Sequence, residues 1–208
     1  MGFSIVSIEG ADGTGKSTIA NLLYHKMVSE FSYLSVEKYH EPMFFEEEIY
    51  NSSINDSKYL FLLFLVARKK LIKLIDTRQN RIVIMDRYID STFVYQALFQ
   101  RVVDFDSLVY FHQQIVFENN GYFWPDITFI LEADLEDIKT RIKKKNNSKL
   151  FDGSELEYIQ KLYKILPIIF SNRVFYFFNT SVLTKEDVVQ NMFDIICKKI
   201  LNCGFESY

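Results

Sequence analysis

Residues 5–19 read Ile-Val-Ser-Ile-Glu-Gly-Ala-Asp-Gly-Thr-Gly-Lys-Ser-Thr-Ile, an apolar run that breaks into glycines and then resumes with helical spacing. This order predicts a β-strand, a loop and the start of an α-helix. Gly10, Gly15, Lys16 and Ser17 occupy the fixed positions of the pattern G-x-x-x-x-G-K-[ST]. Because glycine has no Cβ, the backbone N–H groups of such a loop can converge on an anion. The stretch therefore predicts a phosphate-binding loop.

The charges around this loop favour the phosphates of a nucleotide. Lys16 adds a mobile positive charge, and the helix that begins near it directs its unpaired N–H groups toward the same place. The Ser17 hydroxyl is placed to bind Mg²⁺. We therefore predict that the chain binds ATP together with Mg²⁺. A glycine-rich turn that binds nothing is the alternative, and the complete spacing argues against it.

Composition restricts the kind of protein and its partners. The 208 residues are 49% hydrophobic, which is enough for one folded domain over residues 1–208. A formal net charge of −3 argues against a nucleic-acid partner. No apolar run reaches the about 20 residues that a membrane span needs, and Cys197 and Cys203 have no metal-ligand neighbours. We therefore expect a soluble, cytoplasmic protein with reduced thiols and no membrane partner.

Short apolar runs alternate with helical patterns along the rest of the chain. This alternation predicts an α/β fold, a doubly wound parallel sheet with helices on both faces. Beyond the first strand, strands are predicted over 33–39, 81–85, 125–132 and 174–178. Helices are predicted over 16–30, 58–76, 91–100, 107–119, 135–145, 155–170 and 185–201, with a short helix between 44 and 57.

Three features predict where individual helices begin or end. Asp56 or Ser57 is expected to cap the helix over 58–76, because their side chains can accept from the first free N–H groups. Thr184 is expected to cap the last helix for the same reason. Pro167 is expected to bend or end the helix over 155–170, since proline has no N–H to donate.

Charged residues follow the predicted strands at the edge where a ligand would lie. Asp12 is in the loop, Glu41 follows the second strand, and Asp86 and Arg87 follow the third. The carboxyl ends of parallel strands form the ligand crevice of an open sheet. Phosphoryl transfer requires cations around the migrating group and an in-line geometry. The available cations are Lys16, Arg68, Arg87 and those of the basic segment 141–149.

Several motifs together resemble those of thymidylate kinases, a family of P-loop nucleoside monophosphate kinases. The resemblance covers nearly the whole chain, and its most specific part is the string Asp-Arg-Tyr-x-x-Ser-x-x-x-Tyr-Gln. It implies transfer of the γ-phosphoryl group of ATP to dTMP, giving dTDP and ADP, by a homodimer that uses Mg²⁺. The motifs are the loop Gly10–Thr18, Glu41-Pro42, Phe64 with Arg68, Asp86-Arg-Tyr-Ile-Asp-Ser91 with Tyr95-Gln96, and Pro125-Asp126.

The resemblance also implies roles for individual residues. Phe64 would stack on the thymine ring, and Tyr95 would crowd the 2′ position and so select deoxyribose. Lys16, Arg87, Asp12 and Asp86 would be catalytic, and Ser17 and Asp86 would hold Mg²⁺. The residues implied to bind ATP are Gly10, Ala11, Asp12, Gly13, Thr14, Gly15, Lys16, Ser17, Thr18 and Arg141, the last near the adenine. Those implied to bind dTMP are Glu41, Pro42, Phe64, Arg68, Arg87, Ser91, Tyr95 and Gln96.

The residues by themselves leave other interpretations open. Arg87 could form a structural ion pair with Asp86, and Arg68 could be the solvated end of its helix. Phe64 and Tyr95 could pack in the core without touching a ligand. His25, His40 and His112 have no evident ligand set, and we assign them surface or packing roles.

Two stretches depart from the family pattern. Where many thymidylate kinases have Glu-Pro-Gly-Gly-Thr, this chain has Glu41-Pro-Met-Phe-Phe45, which predicts a bulkier loop facing the acceptor phosphate. The predicted lid, approximately residues 143–153, has Leu150 where the family usually has arginine, and Gly13 provides no arginine from the loop. The cations left for the lid are Lys143, Lys144, Lys145 and Lys149.

Three other functions compete with the first hypothesis, and the acidic balance weakens one of them, a nucleic-acid-binding ATPase. In a deoxyribonucleoside kinase, Glu41 would take the proton from a sugar 5′-OH, but Arg68 and Arg87 together favour a monophosphate acceptor. A nucleotide-binding regulatory protein could keep the loop and lose turnover through its altered lid.

Overall fold

The strands form one parallel sheet with the order β2-β3-β1-β4-β5. The computed structural model describes residues 2–50, 56–75, 77, 80–118, 121–144 and 152–201. Five strands lie in these ranges: β1 Phe3–Gly10, β2 Ser35–His40, β3 Arg81–Asp86, β4 Ile127–Glu132 and β5 Phe175–Asn179.

Helices connect successive strands. The α-helices of the described ranges are α1 Lys16–Glu30, α2 Glu46–Tyr50, α3 Ser57–Leu74, α4 Ile89–Thr92, α5 Phe105–Tyr110, α6 Leu135–Lys144, α7 Gly153–Ile169 and α8 Lys185–Ile196. Three of them continue as π-helical segments, α4 into Phe93–Phe99, α5 into Phe111–Val116 and α8 into Cys197–Leu201.

The sheet is buried on both faces, as its apolar strands predict. Along β1, Ile5 contributes to one core while Val6 and Ile8 contribute to the other, because successive side chains of a strand point to opposite faces. The first core includes residues of α3, α5 and α7, and the second includes residues of α1 and α8. The predicted doubly wound sheet with helices on both faces is therefore confirmed.

The helix ends follow the local chemistry of the sequence. The Asp56 carboxylate accepts from the N–H groups of Lys58 at 2.9 Å and Tyr59 at 3.2 Å, which resolves the predicted choice of cap. Thr184 caps α8, as predicted. Pro167 was expected to bend or end its helix, and α7 continues through it for two more residues, to Ile169. A proline in the last turn removes one hydrogen bond without breaking the rest of the helix.

Some predicted ranges differ from the structure. The helix expected to start at residue 91 begins at Ile89, directly after the turn at Tyr88. The helices over 91–100 and 107–119 contain π-helical turns, which hydrophobic spacing does not distinguish from α-helical turns. The short helix expected between 44 and 57 is α2. Residue 76, most of the predicted lid, and Cys203 lie outside the described residues.

The carboxyl edge of the sheet brings the predicted site together. In the pairing of β1 with β3, Ile8 lies opposite Asp86, so the third strand ends beside the start of the glycine-rich loop. Glu41 follows β2 on the other side of β3, and its N–H donates to the Asp86 carbonyl at 3.0 Å. Within the described residues, no helix combines the length and apolarity required to cross a bilayer.

Candidate active site

The loop between β1 and α1 depends on its glycines. Gly10, Gly13 and Gly15 have φ angles of +138°, +82° and +98°, which other residues rarely adopt. A Cβ on Gly10 would lie 2.3 Å from the backbone oxygen of Leu131 in β4. The tight packing of the loop against the sheet therefore requires glycine at residue 10.

Lys16 is buried at the start of α1. Its Nζ donates to the Ala11 carbonyl at 2.6 Å, so the ammonium lies within the curve of the loop. Burial lowers the pKa of Lys16 to about 7, and the positive charge of Arg87 acts in the same direction. Asp12 and Asp86 oppose the shift. An anionic phosphate at this place would favour the charged form of Lys16.

A cavity of about 390 Å³ opens beside the loop and the start of α1. Of the residues implied to bind ATP, Thr14, Gly15, Thr18 and Arg141 line it. The Arg141 guanidinium donates to the carbonyl and to the hydroxyl of Thr180, each at 2.8 Å. The sequence analysis missed Thr180, because the segment before α8 contains no motif that would indicate a ligand.

Arg87 connects this loop with a second cavity. Its guanidinium donates to the Asp12 carboxylate and, at 3.1 Å, to the Ser91 hydroxyl, and it lies 5.6 Å from the centre of the Tyr95 ring. Burial opposes the charge, but the neighbouring Asp12 carboxylate holds the pKa of Arg87 well above its ordinary value. The ion pair thus joins Arg87 to Asp12 rather than to its neighbour Asp86.

The second cavity has a volume of about 230 Å³. It combines two guanidinium groups and two carboxylates with apolar and aromatic side chains, which suits a ligand with an anionic group and a flat ring. All eight residues implied to bind dTMP line it: Glu41, Pro42, Phe64, Arg68, Arg87, Ser91, Tyr95 and Gln96. The sequence analysis did not select the other lining residues Ile49, Leu60, Thr92 and Gln100 for this cavity.

Arg68 is buried rather than solvated, with 1% of its surface exposed. Its Nε donates to one oxygen of Glu41 at 2.7 Å, and Nη2 donates to the other oxygen and to Thr92 Oγ1 at 2.8 Å. Burial opposes the charge, but Glu41 raises the pKa of Arg68, so the guanidinium stays charged. The alternative of a solvated helix end is therefore wrong.

The same ion pair limits what Glu41 can do. Both of its carboxylate oxygens accept from Arg68, and Glu41 is itself 8% exposed. A two-point contact of this kind holds the carboxylate against the guanidinium. This geometry argues against Glu41 as the base that a nucleoside acceptor would require.

Glu9 belongs to the site although the sequence analysis did not select it. Its buried carboxylate accepts from the Tyr88 N–H at 2.7 Å, the Ser91 hydroxyl at 2.6 Å and the Tyr163 hydroxyl at 3.4 Å. Burial, together with the nearby Asp90 charge, raises the pKa of Glu9 to about 8. The sequence signal that could have identified Glu9 is a charged residue near the end of an otherwise apolar strand.

The loop that follows Glu41 carries two aromatic side chains beside α3. The ring centres of Phe44 and Phe45 lie 5.7 and 4.4 Å from Nζ of Lys70 on α3. Neither ring lines the second cavity, whereas Glu41 and Pro42 of the same loop do. That this bulkier loop faces the acceptor phosphate stays a prediction.

The remaining sequence candidates are distributed as follows. Lys143 and Lys144 are exposed at the end of α6, while Lys145, Lys149 and Leu150 lie outside the described residues. Ser17 is exposed in the first turn of α1, and Asp86 is buried at the end of β3. His25 and His40 are exposed as expected, whereas His112 is buried and contacts Arg68.

One loop serves both cavities, since Asp12 lines the second and Thr14 and Gly15 line the first. A glycine-rich loop of the P-loop pattern between two cavities, at the carboxyl edge of a parallel sheet, is the arrangement of a P-loop nucleotide kinase. Comparison with known proteins then gives the particular family. The model of the thymidylate kinase family matches residues 8–192, and the chain belongs to that family.

Individual relatives agree with this result. The probable thymidylate kinase of Sulfolobus acidocaldarius is 34% identical over 167 residues, covering 77% of this chain and 78% of the relative. That of Sulfurisphaera tokodaii is 31% identical over 199 residues, covering 94% and 96%. The reaction of the family is phosphoryl transfer from ATP to dTMP, giving dTDP. The chain is accordingly a nucleoside monophosphate kinase.

Solved structures share the fold. The thymidylate kinase of Ehrlichia chaffeensis superposes with a TM-score of 0.65 at 20% identity, covering 94% of this chain and all of the other. The thymidylate kinase of Candida albicans superposes with a TM-score of 0.63, also at 20% identity, covering 95% and 92%.

Proposed function

We propose that the 230 Å³ cavity binds dTMP and that the glycine-rich loop with the 390 Å³ cavity binds ATP, so that the two nucleotides meet at the loop. The observation that carries this proposal is the Asp12–Arg87 contact, because it joins the donor loop to a guanidinium of the other cavity. The two cations, Lys16 and Arg87, then lie close enough for the charge of Arg87 to lower the pKa of Lys16.

For the acceptor, we assign the phosphate to Arg87 and the thymine ring to Phe64. Arg87 presents a planar fork of donors that suits a phosphate, and Phe64 supplies a flat apolar surface. Tyr95 and Gln96 are buried side chains that line the same cavity, and they would limit the space around the sugar and base. Ser91 supports Arg87 through its hydroxyl.

For the donor, we assign the β- and γ-phosphates to the backbone N–H groups of the loop and to Lys16, and the adenine to the neighbourhood of Arg141. Transfer then requires that the acceptor oxygen and the γ-phosphorus be held in line. Lys16 and Arg87 would stabilise the charge that spreads over the migrating group. No general base is needed, because a phosphate monoester is already ionised.

The residues present fit a Mg²⁺ ion that is bound mainly by phosphates. Ser17 offers an exposed hydroxyl at the start of α1, and Asp86 offers a carboxylate near Lys16. Magnesium in kinases is commonly held by one or two protein oxygens together with phosphates and water. When bound there, the ion would neutralise part of the phosphate charge.

The test is a panel of acceptors assayed with ATP and Mg²⁺, followed by ADP release. We expect turnover of dTMP and none of thymidine. Lys16→Ala should reduce turnover by about 100-fold or more, because one charge stabiliser of the transition state is lost. The exposed Lys198→Ala serves as the control and should leave the rate unchanged.

Turnover of thymidine alone would contradict the proposal and return Glu41 to the role of a base. Calorimetry with ATP and dTMP separates a third case. Binding of both nucleotides with no ADP release at high protein concentration would indicate a regulatory protein instead of an enzyme.

The proposal includes a homodimer. Tyr59, Leu62 and Val66 occupy one face of α3 and are 45%, 56% and 47% exposed. An apolar helix face of this kind suits contact with a second copy of the chain. A single domain over residues 1–208, a cytoplasmic location and the lack of a nucleic-acid partner belong to the same proposal, the last supported by the net charge of −3.

A further inference from the structure

His112 lies in the π-helical segment Phe111–Val116, with its side chain fully buried. The rings of Phe93 and Phe117 have their centres 5.9 and 5.8 Å from the imidazole. The polar groups in hydrogen-bond contact with the ring are the Leu108 carbonyl and the Arg68 guanidinium. Such π-helical turns often occur at functional sites.

The two contacts determine the protonation state of the imidazole. Nδ1 lies 2.8 Å from the Leu108 carbonyl, which can only accept, so Nδ1 carries the hydrogen. Nε2 faces Nη1 of Arg68, which can only donate, so Nε2 must present its lone pair. Burial and the Arg68 charge both lower the pKa of His112 well below its ordinary value. The ring is therefore a neutral hydrogen-bond acceptor.

This acceptor completes the frame around Arg68. Glu41 binds Nε and Nη2, Thr92 binds Nη2, and His112 binds Nη1. A guanidinium has five N–H groups, and four of them are used in these contacts among the described residues. The fifth N–H group, on Nη1, has no hydrogen-bond acceptor among the described residues. Arg68 itself lines the 230 Å³ cavity.

His112 also opposes the attraction of the Arg68 guanidinium toward Glu41. The ion pair alone would draw the guanidinium toward the carboxylate, because the bond between two charged groups is the stronger one. A neutral acceptor on the opposite nitrogen fixes the plane and rotation of the guanidinium without adding a second negative charge. The Tyr88 ring, 5.4 Å from Cζ of Arg68, covers one face.

We propose that His112 is a positioning residue, which holds Arg68 so that the remaining N–H of Nη1 donates to dTMP in the 230 Å³ cavity. The inference rests on the proposed assignment of the 230 Å³ cavity to dTMP. Nothing in the local sequence indicates this role, because 44 residues separate His112 from Arg68.

The test compares His112→Leu, which removes the acceptor, with His112→Gln, whose side-chain oxygen can take the place of Nε2. We expect His112→Leu to raise KM for dTMP about 10-fold, since a buried donor loses its partner, while KM for ATP stays unchanged. His112→Gln should restore KM for dTMP to within about threefold of the wild type. Phe117→Leu is the matched control, because it changes packing beside the imidazole without touching Arg68.

The outcomes separate positioning from packing. If His112→Leu lowers Tm as much as Phe117→Leu and leaves KM for dTMP unchanged, His112 only packs, and the inference is wrong. If His112→Leu does not fold, nitrogen-15 NMR of the wild-type protein decides: the inference requires a neutral Nδ1–H ring between pH 5.5 and 8. An Nε2–H ring, or a ring that becomes protonated within this pH range, would overturn it. Failure of the wild-type protein to phosphorylate dTMP would instead refute the proposed function.

Discussion

The charge on Lys16 depends on what lies in the loop. Without a phosphate, burial and Arg87 keep its pKa near 7, which is far below the ordinary value for lysine. A bound phosphate group would place a negative charge beside Lys16 and so favour its protonated form. The protonation of Lys16 should therefore be coupled to nucleotide binding.

This coupling predicts proton uptake. At pH 8 Lys16 is mostly neutral before binding and charged after it, so ATP binding should take up a large fraction of one proton. At pH 6 Lys16 is already charged, and its contribution should vanish. Calorimetry in two buffers with different ionisation enthalpies measures the uptake.

Lys16→Arg is the control, because arginine stays charged throughout this range. The difference in uptake between wild type and Lys16→Arg isolates residue 16 from the protons of ATP itself. Equal uptake in the two proteins at pH 8 would show that Lys16 does not titrate.

The spacing of sequence motifs was sufficient to select most of the cavity-lining residues, but it did not reveal their contacts. Arg87 was selected from a string of fixed spacing, whereas its partner Asp12 lies 75 residues away. His112 could not be selected, because a lone histidine in a helical pattern carries no sign of its distant partner. Contacts of this kind depend on tertiary packing that a linear pattern does not contain.

At the level of secondary structure, the conformation of the glycine-rich loop depends on the close approach of β1 and β4 behind it. Gly10 and Gly15 both have positive φ angles, but only Gly10 has backbone atoms where a Cβ would stand. The strand and helix types were predictable from apolar runs and caps. The π-helical turns after α4 and α5 were not, because they depend on how each helix packs.

Gly10→Ala should be more destabilising than Gly15→Ala. Both variants introduce strain from the positive φ, but Gly10→Ala also forces β1 away from β4, which costs about 1–3 kcal/mol more. Urea unfolding of the two variants at equal protein concentration measures the difference. Equal stabilities would mean that the contact with Leu131 does not restrict residue 10.

In the molecule as a whole, charged side chains from five separate stretches of the chain lie along one edge of the doubly wound sheet. Lys16, Glu41, Arg68, Arg87 and Arg141 come from different loops and helices, yet each lines a cavity or lies beside one. The alternation of strands and helices predicted this convergence. The partner surface is less determined by sequence, since exposed and buried apolar residues look alike in a helix that is apolar on most sides.

The apolar face of α3 gives a direct test of assembly. We expect a dimer by sedimentation equilibrium at micromolar concentration, and a monomer after Leu62→Glu, because a buried charge in an apolar interface is unfavourable. Lys198→Glu, at an exposed position outside α3, is the control. A wild-type monomer, or a Leu62→Glu dimer, would contradict the proposed interface.

The most direct test of the whole account is a crystal structure of the protein with dTMP and a non-hydrolysable ATP analogue. We expect the dTMP phosphate within hydrogen-bond distance of Arg87, the thymine against Phe64, and the triphosphate on the loop with Lys16 at its β- and γ-phosphates. Binding of dTMP outside the 230 Å³ cavity, or with its phosphate turned away from the triphosphate, would contradict the proposed function.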